Sequence, residues 1–192
     1  MGLKVEHVNK TYGTKKVVND ISFEIDKPSV YGLLGTNGAG KTTTIRMILG
    51  ILKKDSGEIS WNGKEVKRKN VNFGYLPEER GVYPKTKIYD QMMYFAELKG
   101  MKKEKAIESL KYWANRLEVE QYINMTPEKL SKGNQQKIQF ITAIIHDPEL
   151  IVLDEPFSGL DPVNTELLKL SLIHISERTR LDVIWYSVLC MK

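Results

Sequence analysis

Along the first third of the chain, apolar and polar positions alternate with the two-residue period of strands. Ile21, Phe23 and Ile25 are separated by Ser22, Glu24 and Asp26, which predicts a half-buried strand; Leu3 and Val5 predict another before it. Tyr31 to Leu34 form a short apolar run ahead of a glycine-rich loop, and a helix is expected after Lys41. Ile59 and Trp61 lead into Asn62-Gly63, a dipeptide that favours a two-residue hairpin turn. Val71, Phe73 and Tyr75 alternate again. After Pro84 the period changes. Ile88, Met92, Phe95 and Ala96, then Ile107, Leu110, Ala114 and Leu117, recur at helical spacing, with Gly100 as a stop between them. A third helix is expected to follow Gly133 and run to about His146, ended by Pro148. Leu150 to Leu153 is continuously apolar, the pattern of a strand buried on both faces of a parallel sheet. Strands alternating with helices predict an α/β core with an antiparallel piece near the N-terminus and a helical insertion over about residues 84–147.

Composition narrows this picture only slightly. The 192 residues are 41% hydrophobic, enough for one sizeable core but not two independent ones. A single cysteine, Cys190, excludes an internal disulfide framework. No apolar run approaches the roughly 20 residues of a membrane span. The start, MGLKVEHVNK, lacks the apolar stretch of a secretory signal, so a cytoplasmic chain is expected. The net charge of +5 comes from clusters such as Lys53-Lys54, Lys64 to Lys69 and Lys102-Lys103-Lys105. Acids interrupt them and no aromatic platform lies among them, so they read as solvated surface and no nucleic-acid partner is expected. His7 and His146 have no metal-like partners at usable spacing and read as structural.

Candidate chemistry changes the picture far more. Gly35-Thr36-Asn37-Gly38-Ala39-Gly40-Lys41-Thr42 matches the phosphate-loop pattern G-x-x-x-x-G-K-[ST] between an apolar strand and a helix. Glycines let successive backbone N–H groups point at a phosphate, and the following helix N-terminus adds about half a positive charge. Lys41 then reaches the β- and γ-phosphates, and the Thr42 hydroxyl ligates Mg²⁺. Leu150 to Leu153 ends in Asp154-Glu155, which puts two carboxylates at the carboxyl edge of a parallel sheet, where ligands bind. Asp154 is the expected Mg²⁺ partner, and Glu155 the general base for an attacking water.

Two further stretches carry a resemblance to a known family. Leu130-Ser131-Lys132-Gly133-Asn134-Gln135-Gln136 resembles the LSGGQ signature of ABC ATPases, and Ser158-Gly159-Leu160-Asp161 resembles their D-loop. The order of aromatic loop, phosphate loop, signature, acidic strand and D-loop is similar to an ABC nucleotide-binding domain over residues 1–170. Tyr75 to Pro84 is most similar to prokaryotic export-type subunits, including the sodium-extrusion ATPases. The resemblance implies a P-loop NTPase (RecA-like) core with an N-terminal antiparallel β lobe and an inserted helical lobe. It implies ATP hydrolysis with Mg²⁺, coupled to export through separate transmembrane permease subunits at the cytoplasmic face of the membrane. It also implies that Tyr12 stacks on adenine and that Gly35, Thr36, Asn37, Gly38, Ala39, Gly40, Lys41, Thr42 and Thr43 cradle the phosphates. Ser131 and Gly133 fall on signature positions that contact the γ-phosphate held by the opposite subunit, and Asp161 couples the two sites. A homodimer, or a heterodimer with a second such domain, is therefore implied.

This chain departs from the family in places. Lys132 and Asn134 replace a glycine and a glutamine of the signature, while Ser131 and Gly133 survive. Glu78 stands where the family usually has glutamine, and its carboxylate can still meet Mg²⁺ or water. Ile88, Met92, Met93, Tyr94 and Phe95 fall in the lobe that receives helices of the membrane subunit, with core packing as the alternative. After Leu170 the resemblance stops, and residues 171–192 are expected to be a foreign tail on a truncated family member. Val183 to Tyr186 could imitate the family's next strand, but no switch histidine follows. Two other readings stay open at this point. One is a soluble ABC-type ATPase acting on ribosomes or DNA, and the other a nucleotide-binding regulator with impaired hydrolysis.

Overall fold

The alternating segments at the N-terminus pair with one another before any helix intervenes. The computed structural model describes residues 2–26, 30–36, 38–67, 71–78, 81–157, 159–179 and 182–186. Strands β1 (Leu3–Tyr12) and β2 (Lys15–Ile25) form an antiparallel hairpin, followed by β3 (Val30–Gly32) and helix α1 (Lys41–Ile48). Strands β4 (Ser56–Trp61) and β5 (Lys64–Glu65) form a second hairpin. Its turn residues Asn62 and Gly63 both have positive φ, 51° and 75°, as a two-residue turn matched to strand twist requires. Then come β6 (Phe73–Leu76), α2 (Ile88–Leu98), α3 (Lys103–Arg116), α4 (Lys132–Ile144), β7 (Leu150–Asp154), α5 (Pro162–Thr179) and β8 (Asp182–Tyr186). One sheet has the order β2-β1-β4-β5 and is antiparallel. The other has the order β3-β8-β7-β6 and is parallel. Among the described residues no helix is long and apolar enough to cross a membrane.

The continuous apolar run of β7 is explained by two cores, one on each face. Leu150 and Val152 pack with Leu3, Val5, Ile45 and Ile48, in the core shared by the antiparallel sheet and α1. Ile151 and Leu153 pack on the other side with Met92, Leu110, Ile141 and Leu168, in the core of the helical lobe. Successive residues of a strand point to opposite faces, so all five positions of β7 are buried.

The structure moves several predicted boundaries. Strand β3 ends at Gly32, and Leu34 is exposed, because the chain must already turn toward the phosphate loop. Within β6 the buried positions are Gly74 and Leu76, whereas Phe73 and Tyr75 are half-buried. Helix α4 starts at Lys132, before Gly133, because the Ser131 side chain caps it by accepting the Asn134 N–H at 3.3 Å. Ile88 and Met92 are fully buried, so core packing accounts for them, while Tyr94 stays half exposed. The alternation at Ile21, Phe23 and Ile25 extends back to Lys15, through a register irregularity with left-handed His7 and Asp20. Residues 171–179 continue α5, and 182–186 pair on both sides, with β3 and with β7.

His146 follows α4 and is buried, its Nε2 3.2 Å from the Phe73 carbonyl oxygen. Burial first, and then the nearby Lys99 cation, push its pKa down from 6.5 to about 4. As pH falls below 6.5 the unfolded chain binds a proton that the folded chain refuses, so stability is lost between about pH 6.5 and pH 4. The full loss is about 3 kcal/mol. Urea titrations at pH 7 and pH 4.5 are expected to show most of that difference, and His146→Gln to remove its share. An unchanged pH dependence in the variant would show that the acid sensitivity arises elsewhere.

Candidate functional site

The phosphate loop leaves the carboxyl end of β3 and enters α1 through Gly40. Gly40 has φ 83° and caps the helix, and a Cβ placed there would lie 2.4 Å from the Val17 carbonyl oxygen of β2. Only glycine meets both conditions, so this residue seats the loop against the antiparallel sheet. The turn is closed by the Ala39 N–H donating to Thr36 O at 3.2 Å, and by the Thr44 N–H donating to Gly40 O at 2.8 Å. Lys41 is buried and its ammonium lies back across the loop, donating to the carbonyls of Gly35 and Thr36 at 2.7 Å each. Thr42 and Thr43 occupy the first turn of α1 and are half-buried. The first N–H groups of a helix have no partner within the helix, which makes this end a ready anion site. Asn37 lies outside the described residues, as does Ser158.

Asp154 ends β7 and is almost fully buried, at 1% exposure. Glu155 follows in the left-handed region, φ 51°, so the chain leaves the strand sharply and this carboxylate is only half-buried. Beyond it, Gln136 of α4 donates from Nε2 to Pro156 O at 3.2 Å. Glu78 is exposed just past β6, and the Pro77 carbonyl before it accepts from Gln139 Nε2 at 3.2 Å. Tyr75 connects these acids. Its phenol is pushed above its ordinary value by burial first and then by the Asp154 charge, with a smaller push from Glu78. Arg46 of α1 opposes this through its charge and a hydrogen bond to the phenol. Tyr12 ends β1 with half of its surface open.

The signature and D-loop residues meet each other at a second place. A Cβ on Gly133 would lie 3.5 Å from Leu160 Cδ2 and 3.7 Å from Asn164 Nδ2, so the start of α4 packs on the start of α5. Asp161 precedes Pro162 and accepts the Asn164 N–H at 2.9 Å, an N-cap with proline in the first helical position. The Asn164 bonds hold its carboxyl below the usual carboxylate range. Lys137, buried one turn into α4, has its pKa lowered by desolvation, against which the charges of Glu118 and Asp161 act. The Gln135 side chain donates to Pro127 O and Leu130 O at 2.9 and 3.0 Å, which fixes the approach to Ser131. Ser131 itself is exposed.

Gln139 and Arg46 did not emerge from the sequence as parts of this arrangement, whereas Gln136 ends the signature stretch and Tyr75 opens the stretch that runs to Pro84. Gln136 and Gln139 lie three apart, on one helix face, and that spacing was the available signal for Gln139. Arg46 offered none, because its meeting with Tyr75 depends on α1 packing across the sheet. A cavity of about 340 Å³ is lined by Tyr75, Pro77, Phe95, Leu98, Gln139 and His146 among others, and none of the described phosphate-loop residues borders it.

Residues 18–158 match the family model described as ABC transporter. The chain is 55% identical over 174 residues to the uncharacterised ABC transporter ATP-binding protein YhaQ of Bacillus subtilis (strain 168), covering 90% of this chain and 58% of that one. It is 48% identical over 175 residues to the uncharacterised ABC transporter ATP-binding protein MJ1023 of Methanocaldococcus jannaschii, covering 91% and 64%. It thus spans less than two thirds of the length of these curated relatives. A solved structure titled as the ATP binding subunit of an ABC transporter superposes with TM-score 0.88 at 27% identity, over 98% of this chain and 80% of that one. With the phosphate loop at the end of β3, the acids at the end of β7 and the signature capping α4, this match makes the chain a member of the ABC transporter family.

Proposed function

We propose that the chain is the ATP-binding and ATP-hydrolysing subunit of an ABC exporter, working as a dimer whose closure drives transport. The observation that carries this reading is the loop after β3, with the Lys41 ammonium folded across it and a buried carboxylate, Asp154, at the end of β7, one strand removed from β3 in the same parallel sheet. A triphosphate entering the loop offers Lys41 oxygens in place of the carbonyls of Gly35 and Thr36. The same phosphates meet the N-terminal N–H groups of α1. Tyr12 presents an open aromatic face to the adenine.

The donor set suits Mg²⁺. That ion binds through one or two protein oxygens plus substrate phosphates rather than through an all-protein cage. Thr42 and Asp154 are such a pair, and the described residues hold no cluster of three or more His, Cys, Asp or Glu that could bind a metal by itself. Mg²⁺, when bound, offsets charge on the β- and γ-phosphate oxygens. Glu78, exposed beside Pro77, is the further oxygen available to the ion or to its water. Glu155 takes the proton of the attacking water.

Ser131, Gly133 and Asp161 complete the site from the opposite subunit. Their packing at the α4–α5 junction supports a rigid unit that approaches a partner's γ-phosphate as one piece. The partner is a second copy or a similar domain, and separate permease subunits hold the pair at the cytoplasmic face of the membrane. The apolar cavity beside Phe95 and Leu98 supports the permease contact, because Gln139 and Pro77 in its wall lead directly to Glu78. Export is favoured by likeness to the lipopolysaccharide export system ATP-binding protein LptB of Haemophilus influenzae, 30% identical over 187 residues, 92% of this chain and 76% of that one.

Lys41→Ala tests the reading directly. It is expected to weaken ATP binding at least about tenfold, the loss of roughly 1.4 kcal/mol of charge-assisted bonding. Because the ammonium also holds the Gly35 and Thr36 carbonyls, Lys41→Arg is the companion variant. Equilibrium titration with ATP and Mg²⁺ is the measurement, and wild-type affinity in Lys41→Ala would remove the phosphate-loop reading.

A further inference from the structure

Tyr12 stands where β1 has lost β4 and keeps only β2, through its pairing with Lys15. The last pairing of β1 with β4 is Asn9 with Ser56, and the β1–β2 register shifts between Val8 and Lys10 and again between Lys10 and Thr11. A ladder that slips at these steps does not by itself aim the next side chain. Asp55, one residue before β4, supplies the missing attachment. One carboxylate oxygen accepts from Lys10 Nζ and the other from the Thr11 backbone N–H, each at 2.7 Å. The Asp55 N–H in turn donates to Asn9 O at 3.0 Å, so the clamp reaches three consecutive residues ahead of Tyr12. Lys10 is largely covered, at 14% side-chain exposure, and its ammonium sits over the Tyr12 ring, 5.6 Å from the centroid.

We infer that Asp55 is a positioning residue for the base of the nucleotide. By fixing Lys10 and Thr11, it sets the Tyr12 ring so that Lys10 covers one face and the base stacks on the other. The inference rests on the proposed role of Tyr12 and goes one step further back in the chain of contacts. Both of its bonds hold the Asp55 carboxyl below the usual carboxylate range, the Lys10 bond first and the Thr11 N–H second, so the clamp is ionised at neutral pH. No other side chain described here ties the end of β1 to the start of β4 at two points, and none of the phosphate-binding groups takes part. The effect is therefore specific to the base.

The test compares ATP with inorganic tripolyphosphate, both with Mg²⁺, by calorimetric titration of the full chain. Four proteins are needed: wild type, Tyr12→Ala, Asp55→Ala and the double variant. Tyr12→Ala is expected to weaken ATP about tenfold, the usual scale of base–aromatic stacking. Asp55→Ala is expected to weaken ATP about three- to tenfold, the scale of lost hydrogen bonds, and to leave tripolyphosphate unchanged. The double variant is expected to match Tyr12→Ala alone, because the clamp has nothing left to aim. Weakening of both ligands by Asp55→Ala would mean a general structural role, and full additivity would mean an effect that bypasses Tyr12; either overturns the inference. If Tyr12→Ala weakens ATP alone while Asp55→Ala does nothing, the base platform stands and only the clamp falls. If Tyr12→Ala leaves ATP unchanged, the platform reading itself fails.

Discussion

Glu155→Gln is expected to lower ATP turnover by about 10²–10⁴-fold, the usual scale of general-base assistance, while ATP binding stays within a few-fold of wild type. The asymmetry follows from geometry. Glutamine keeps the size of the side chain and the sharp left-handed departure from β7, but it cannot accept a proton. Asp154, Thr42 and Lys41 are untouched, so the groups proposed to hold the triphosphate remain. The variant is accordingly expected to collect as an ATP-bound dimer. Steady-state phosphate release and size-exclusion chromatography with ATP are the paired measurements. Turnover at the wild-type rate would remove Glu155 from the chemistry and direct attention to Glu78, an exposed carboxylate whose charge reaches Tyr75.

Gly74→Ala is expected to cost at least about 3 kcal/mol, the upper range of overpacking penalties. A Cβ at this position would lie 1.9 Å from the Ala143 carbonyl oxygen, 3.0 Å from the carbonyl carbon and 3.1 Å from Pro148 Cγ. The nearest of these are backbone atoms of α4, which cannot rotate aside. Reducing the freedom of the unfolded chain favours alanine by only about 0.4–1 kcal/mol, so the clash decides the sign. Total stabilities of about 5–15 kcal/mol leave little margin for such a loss. Gly81→Ala is the control, since its added Cβ would make an ordinary 3.6 Å contact with Pro77. Urea denaturation of both variants checks the prediction, and equal midpoints would mean that α4 does not approach β6 this closely. The consequence reaches the candidate site, because the same helix is capped by Ser131 and carries Gln136 and Gln139.

The two parallel-sheet strands that carry chemistry were legible for different reasons. Gly35 to Thr42 announces itself because a phosphate cradle needs particular backbone freedom and particular side chains at consecutive positions, all within one loop. β7 announces itself because a strand covered on both faces has no polar position to spare before Asp154. Helices α2 and α3 were equally plain from their spacing, since one face of each meets a core. Boundaries were less so. The start of α4 shifted because Ser131, read as a signature position, also serves as the cap. Asp161 similarly combines a family position with an N-cap, and one residue type satisfies both demands.

By itself, then, the sequence determined the candidate site and the local elements: the phosphate-loop motif, the acids after an apolar run, the hairpin at Asn62-Gly63 and the helical periods after Pro84. These are short-range properties, written by steric and hydrogen-bonding rules that act over a few residues. Tertiary structure alone decided the rest. It inserted β8 between β3 and β7, so that residues 182–186 join the strand leading to the phosphate loop to the strand bearing Asp154. It brought Gly133 onto Leu160, Gln139 onto Pro77 and Asp55 onto Lys10 and Thr11. Each of these joins positions far apart along the chain, with no periodic pattern between them. Such contacts form because packing two cores on the faces of one sheet fixes where every loop emerges, and no local rule contains that information.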